Sequence, residues 1–148
     1  MTTPDPFHLD RFVDAQEPLW DQVLEELRAG HKQSHWMWFV FPQLATLGRS
    51  TMARHFGLSG LDEARAYLAH PLLGARLRDA CRLLLLPGRS DAAAIFGTTD
   101  ALKLRSCLSL FDAAAPREPL FAECLGRYYA GKPDPLTLRQ IAPGADDG

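Results

Sequence analysis

Long apolar runs are missing from this chain. The longest, Trp36 to Phe41, holds six residues, and Leu83 to Leu86 only four, against about 20 for a helix that crosses a bilayer, so no membrane association is expected. The opening Met1-Thr2-Thr3-Pro4-Asp5-Pro6 carries no basic region followed by an apolar core, and no secretory signal is read there. Cysteine is scarce and odd in number. Cys81, Cys107 and Cys124 are widely spaced in apolar, helix-like surroundings and read as buried free thiols of a reducing compartment. A cytoplasmic location follows from these three absences. Excess charge is also lacking: 16 basic against 18 acidic side chains give a net charge of −2. That balance argues against general nucleic-acid binding while leaving room for a local basic pocket.

The familiar chemical signatures are absent too. There is no His-Glu-x-x-His and no Cys-x-x-Cys, and His31 and His35, though four apart, are separated from helical continuity by Gly30 and Ser34. No Gly-x-Ser-x-Gly elbow, phosphate-binding Gly-Lys-Ser/Thr loop or Gly-x-Gly-x-x-Gly turn occurs. Neither a metal nor a cofactor is therefore expected. Cys81 has Arg78 and Arg82 as neighbours that would depress a thiol pKa, but it falls on an apolar stripe and reads as structural.

What is present is a globular composition, 47% hydrophobic and 23% charged, in 148 residues. A chain of that size buries about 70% of its unfolded surface and needs no staples. Helical punctuation recurs along it. Leu9, Phe12, Val13 and Gln16 begin an amphipathic segment that Pro18 ends or kinks. Trp20, Val23, Leu24 and Leu27 recur at i, i+3, i+4, i+7 before Gly30. Ser50 caps a segment over 51–56 closed by Gly57, and Asp62 and Glu63 start a helix that halts before Pro71. Leu73, Leu77, Ala80, Cys81 and Leu84 form the next stripe, up to Pro87-Gly88. Ser90 caps a short piece ending at Gly97, and Thr99 caps a helix with Leu104, Cys107, Leu108 and Phe111 on one face. Pro119 opens another, and Asp134-Pro135 starts the last, through Ile141. About eight short helices joined by short turns predict a compact all-α single domain over residues 9–141. Residues 1–8 then form an N-terminal extension and 142–148 a flexible tail.

The distinctive stretch is Ser34-His35-Trp36-Met37-Trp38-Phe39-Val40-Phe41-Pro42-Gln43. Its apolar residues favour a strand, but they show neither period cleanly and no pairing strand is evident. With Ser34 available as a cap and Pro42 as a stop, the reading leans to a buried helical turn.

These residues resemble a known family. The blocks are Arg11-Phe12-Val13-Asp14-Ala15-Gln16, Ser34 through Gln43, Glu63 to Leu68 with His70-Pro71, and Leu73-Gly74. Ile95-Phe96-Gly97, Lys103-Leu104-Arg105-Ser106, Leu110-Phe111 and Tyr128-Tyr129 with Gly131 continue them. Over about residues 9 to 141 the chain resembles the bacterial domain family DUF1810, whose function is unassigned. The resemblance implies a mainly helical cytoplasmic protein and no particular reaction. Some relatives carry the label calpastatin, a protease inhibitor that is largely disordered and built from short repeated motifs, neither of which this chain offers. Where relatives often carry two adjacent serines, this chain has Ser106-Cys107, so no second serine is available at that place.

Candidate site residues follow from side-chain chemistry. The aromatic block is a core segment on the bland reading; on the functional one, Trp36 and Trp38 wall a cleft for a planar ligand, with His35 as general acid or base and Gln43 at a ligand edge. Lys103 and Ser106, at i, i+3, read either as a snorkelling lysine and a self-bonded helix serine or as groups aimed at an anion. Arg49 and Ser50, after Gly48, offer an anion cradle. His70 ordinarily interacts with a helix end, and is a further ligand candidate. Two functions compete: binding of a small anionic, nucleotide-like or phosphorylated ligand, with or without a reaction upon it, or a helical interaction module or homodimer anchored by the aromatic block. An inhibitor role ranks below both.

Overall fold

The computed structural model describes residues 4–141 and is all-helical among them. Ten α-helices and a 3₁₀ turn occur where about eight helices were expected, and each of the ten falls on a segment whose sequence carried a helical signal. The expected tail at 142–148 lies outside the described residues. Of the expected N-terminal extension, Asp5 accepts hydrogen bonds from the amides of Leu9 (2.6 Å) and Asp10 (3.0 Å), which hold its carboxyl below the usual range, and Phe7 packs on the core.

α1 (Asp10–Gln16) and α2 (Trp20–Ala29) are separated by the turn at Pro18. α2 ends where Gly30 takes a left-handed φ of 71°, a conformation open to glycine at little cost. α3 (Met37–Val40) is a single turn stopped ahead of Pro42, in agreement with the helical reading of the aromatic block. α4 (Thr51–His55) is capped by Ser50, whose hydroxyl accepts from the Ala53 amide at 3.0 Å. α5 (Leu61–Ala69) and α6 (Leu73–Leu84) follow, then α7 (Ala92–Phe96). α8 (Thr98–Ala114) is the long central helix, with α9 (Pro119–Tyr129) and α10 (Pro135–Ile141) packed on it.

Three local expectations are corrected. Asp91, not Ser90, caps α7 by accepting from the Ala94 amide. α8 begins at Thr98 after Gly97, and Thr99 is not its cap. Ser34 does not cap α3; its hydroxyl turns back to α2 and donates to Glu26 Oε2 at 2.6 Å.

α8 is surrounded. It packs against α5, α7, α9 and α10, and Leu104, Cys107, Leu108, Leu110 and Phe111 are all fully buried. A helix buried over most of its circumference belongs at the centre of the core. The one-sided stripe expected from Leu104, Cys107, Leu108 and Phe111 is therefore too narrow. Aromatic edges knit the shell to it: Phe12 meets Tyr67 edge-on at 5.1 Å, and Trp36 and Phe41 both meet Phe96 edge-on. All three cysteines are free and buried, and the hydrogen bond with Cys124, together with burial, raises the Cys81 thiol, in keeping with a structural role.

The aromatic block is held from both ends by buried polar side chains. Behind it, Gln16 donates to the Phe39 carbonyl (2.6 Å) and to the Tyr67 hydroxyl (3.1 Å). In front, the Glu26 carboxylate of α2 accepts from the amides of Gln33 (2.8 Å) and Ser34 (3.0 Å), the Ser34 hydroxyl and the Trp36 indole (3.0 Å). Burial alone pushes this carboxyl upward, but the donors outweigh it and hold it at about 2, below an ordinary 4.5. Beyond Pro42 the chain is pinned by a parallel bridge between Leu44 and Leu58, with the Leu58 amide on the Gln43 carbonyl and the Ala45 amide on the Leu58 carbonyl, both at 2.9 Å. Gly57 makes that approach possible, since a Cβ there would stand 2.3 Å from Ala45 Cα.

Glu26→Ala leaves two amides, a hydroxyl and an indole without their acceptor and lowers stability by about 3 kcal/mol, measured by urea denaturation at pH 7. Because the folded pKa lies below the unfolded one, the Glu26 contribution is present in full above about pH 4.5 and is lost as pH falls toward about 2. A wild-type minus Glu26→Gln stability difference that stays flat between pH 6 and pH 3 would refute that linkage.

Candidate functional site

One face of α8 turns away from the core. Thr99, Leu102, Lys103 and Ser106, at i, i+3, i+4, i+7, run for about 10 Å along the helix at 1.5 Å per residue and floor a cavity of about 640 Å³. Its opposite wall is the stretch from Gln43 to Ala53, contributing Gln43, Leu47, Arg49, Ser50 and Ala53. Asp134 and Leu136, at the start of α10, close one end together with Arg105. The volume falls within the range of small-ligand sites. A narrow recess of about 10 Å³ leads on from the α4 side, where Gln43, Ala53 and Lys103 are shared with Trp38 and Phe56.

Lys103 is the most elaborated of these groups. Its ammonium lies 3.5 Å from Asp100 Oδ1, one turn earlier on α8, and 5.7 Å from the centre of the Trp38 ring. Asp100 also pairs with Lys32 through Oδ2 at 2.9 Å, and Lys32, with 8% of its side chain exposed, lies against the Trp36 ring. One carboxylate therefore serves two lysines, leaving a net positive charge beside the recess. Arg49 is exposed at the mouth and has no ion-pair partner among the described residues.

The α10 end is occupied by its own network. Asp134 Oδ2 accepts from the Ser106 hydroxyl (3.1 Å), the Thr137 amide (3.1 Å) and the Thr137 hydroxyl (2.6 Å), which caps α10. Arg105 donates to the carbonyls of Lys132 (2.9 Å) and Pro133 (3.1 Å), fixing the loop ahead of the cap. Ser106 thus faces the cavity with its hydroxyl already engaged.

Five of the nine nominated residues meet here: Gln43, Arg49, Ser50, Lys103 and Ser106. Trp38, half-buried, joins them through the recess, with the Lys103 ammonium over its ring. Three do not. Trp36 is fully buried, its indole spent on Glu26, so it is core and not a wall. His35, the candidate acid or base, is exposed and outside the cavity lining, because the Ser34 turn toward Glu26 sends it to the surface. His70 lies between α5 and α6, where Nδ1 accepts from the amides of Leu72 (3.1 Å) and Leu73 (3.2 Å); it interacts with a helix N-terminus, not only the C-terminus of α5.

Sequence reasoning missed Asp100, Lys32, Asp134 and the leucines at 102 and 136. Asp100 was visible as an acid three residues before Lys103, and Asp134 with Thr137 as a cap spacing. Lys32 had no local signal, since it reaches Asp100 across 68 positions of chain. Among the described residues no cluster of three or more His, Cys, Asp or Glu stands close enough to hold a metal ion, and no helix is long and apolar enough to cross a membrane.

Fold and cavity together define an all-helical domain with a polar-rimmed pocket on its central helix. The family model described as "Protein of unknown function (DUF1810)" matches residues 6–141, and the chain belongs to that family. A conserved hypothetical protein from Mycobacterium tuberculosis, Rv1873, has a crystal structure similar to this chain, with 48% sequence identity, a TM-score of 0.91, and coverage of 93% of this chain and 99% of that one. Among curated proteins, none matches the chain.

His70→Ala removes the acceptor from two helix-end amides and lowers stability by about 1 kcal/mol in denaturant unfolding. Asp134→Ala uncaps α10 at a similar cost, about 1 kcal/mol, and speeds amide exchange at Thr137; unchanged exchange there would remove Asp134 as the organiser of that end.

Proposed function

We propose that this chain binds a small anionic ligand, nucleotide-like or otherwise phosphorylated, in the cavity between α8 and the segment from Gln43 to Ala53. The observation that carries the reading is convergence. Residues from three separate parts of the sequence, Gln43, Arg49 with Ser50, and Lys103 with Ser106, line one hollow in a protein whose net charge is negative. Lys103 and Arg49 supply positive charge, Gln43 both donates and accepts at a ligand edge, and Trp38 offers an aromatic surface beside the ammonium. A bound anion draws Lys103 from Asp100, which keeps Lys32 as its partner.

The reading is one of binding and not of a reaction. The cavity lining holds no histidine or cysteine, and its one carboxylate, Asp134, is committed to the cap of α10. The second reading, an aromatic anchor for a partner or a homodimer, finds little surface to act through. Trp36 and Phe41 are buried and Trp38 is partly covered.

A thermal-shift panel of mononucleotides, dinucleotides and sugar phosphates tests the proposal. A ligand at 100 times its Kd stabilises by about 2.7 kcal/mol, and Lys103→Ala reduces that shift by at least half while His35→Ala leaves it unchanged. A panel without a stabilising compound, or a shift insensitive to both Lys103→Ala and Arg49→Ala, would overturn it.

A further inference from the structure

The two most exposed large apolar side chains among the described residues are Leu102, 64% exposed, and Leu136, 54% exposed, and both line the same cavity. Leu102 stands one residue before Lys103 on α8, and Leu136 is the second residue of α10, opposite the segment that carries Leu47. Isolated leucines on a surface are ordinary; two at one concave site, continuous with Leu47 and Ala53, form an apolar wall that water contacts only while nothing else does.

The charges of the cavity are unevenly placed along it. On the α4 side, Lys32 and Lys103 share the single carboxylate of Asp100 and Arg49 stands nearby, three residues before Met52 and four before Ala53, which with Lys103 walls the recess. That side carries two net positive charges: three cations less one carboxylate. At the α10 end the Arg105 guanidinium and the Asp134 carboxylate cancel, and both are tied into backbone and cap hydrogen bonds. A ligand is thus offered cationic charge at one end, apolar surface from the leucines, and at the far end a balanced pair of charges already engaged in the protein's own hydrogen bonds.

We infer that the ligand is a single-headed amphipathic acid, with one oxyanion group held between Arg49 and Lys103 and an apolar body laid along Leu102, Leu136 and Leu47. This rests on the anion-binding reading above and narrows it: the polar groups at the α10 end are spent on one another and on backbone, so a second phosphate finds no unengaged cation there, whereas an alkyl or aryl body finds Leu136.

Isothermal titration of the full chain with five probes decides the matter: inorganic phosphate, hexyl phosphate, hexanoate, 1-hexanol and adenosine monophosphate. Burial of methylene groups strengthens binding by roughly fourfold each when complete, so hexyl phosphate or hexanoate is expected to bind at least about tenfold tighter than inorganic phosphate, 1-hexanol or adenosine monophosphate. Whichever of the two acids binds tighter names the head group. The double variant Leu102→Asn with Leu136→Asn alters exposed positions, keeps the fold, and is expected to erase the advantage of the alkyl chain while inorganic phosphate binds as before. Adenosine monophosphate binding as tightly as the alkyl acids would overturn the apolar body and leave anion binding standing. Equal binding of 1-hexanol and hexyl phosphate, or no binding of any acid, would overturn both.

Discussion

A buried carboxylate organises this domain. Between α2 and α3 the chain must turn back and deliver the aromatic block to the core, and the amides of Gln33 and Ser34 at that turn lie outside any helix. Glu26 accepts from both of them, from the Ser34 hydroxyl and from the Trp36 indole. A charged acceptor with this many donors repays its own desolvation, as its depressed pKa records. Without it Trp36 would carry an unpaired indole N–H into the core. Gln16 performs the matching task at the back of α3 through the Phe39 carbonyl. The aromatic block is therefore positioned by polar contacts and stabilised by apolar ones.

The consequences reach the cavity through one helix. α8 buries most of its circumference, and the strip left over, from Thr99 to Ser106, becomes the cavity floor. Asp100 joins the two halves of the structure. It pairs with Lys32, from the same turn that Glu26 organises, and with Lys103 on the floor. Core placement and site electrostatics are consequently coupled, since the lysine that accompanies Trp36 also sets how strongly Asp100 holds Lys103. The opposite wall depends on the Leu44 and Leu58 bridge, which Gly57 alone leaves room for.

Much of the fold was legible. Helix stripes such as Leu73, Leu77, Ala80, Cys81 and Leu84 are buried as their period demands, and Gly30, Pro119 and Ser50 act where their local chemistry places them. The misread residues share a cause. Ser34 had a local role as a cap and a distant one at Glu26, and the distant one prevailed because it satisfies a buried carboxylate. His35 followed from the same turn and went to the surface. Leu102 lies off the helical stripe and carries no local signal; its meaning comes from Leu136, 34 positions later.

The periodicity of apolar residues and the stops made by glycine and proline determined, by themselves, that this chain is a set of short helices, because those signals act within a few residues. They also marked Lys103, Ser106, Arg49 and Gln43 as polar groups worth tracing. Only tertiary structure decided that these four share a cavity, that Trp36 and His35 do not, and that Lys32 pairs with the same carboxylate as Lys103. Each of those outcomes turns on partners dozens of residues apart, and the free energy of burying a polar group depends on a partner that no local pattern reveals.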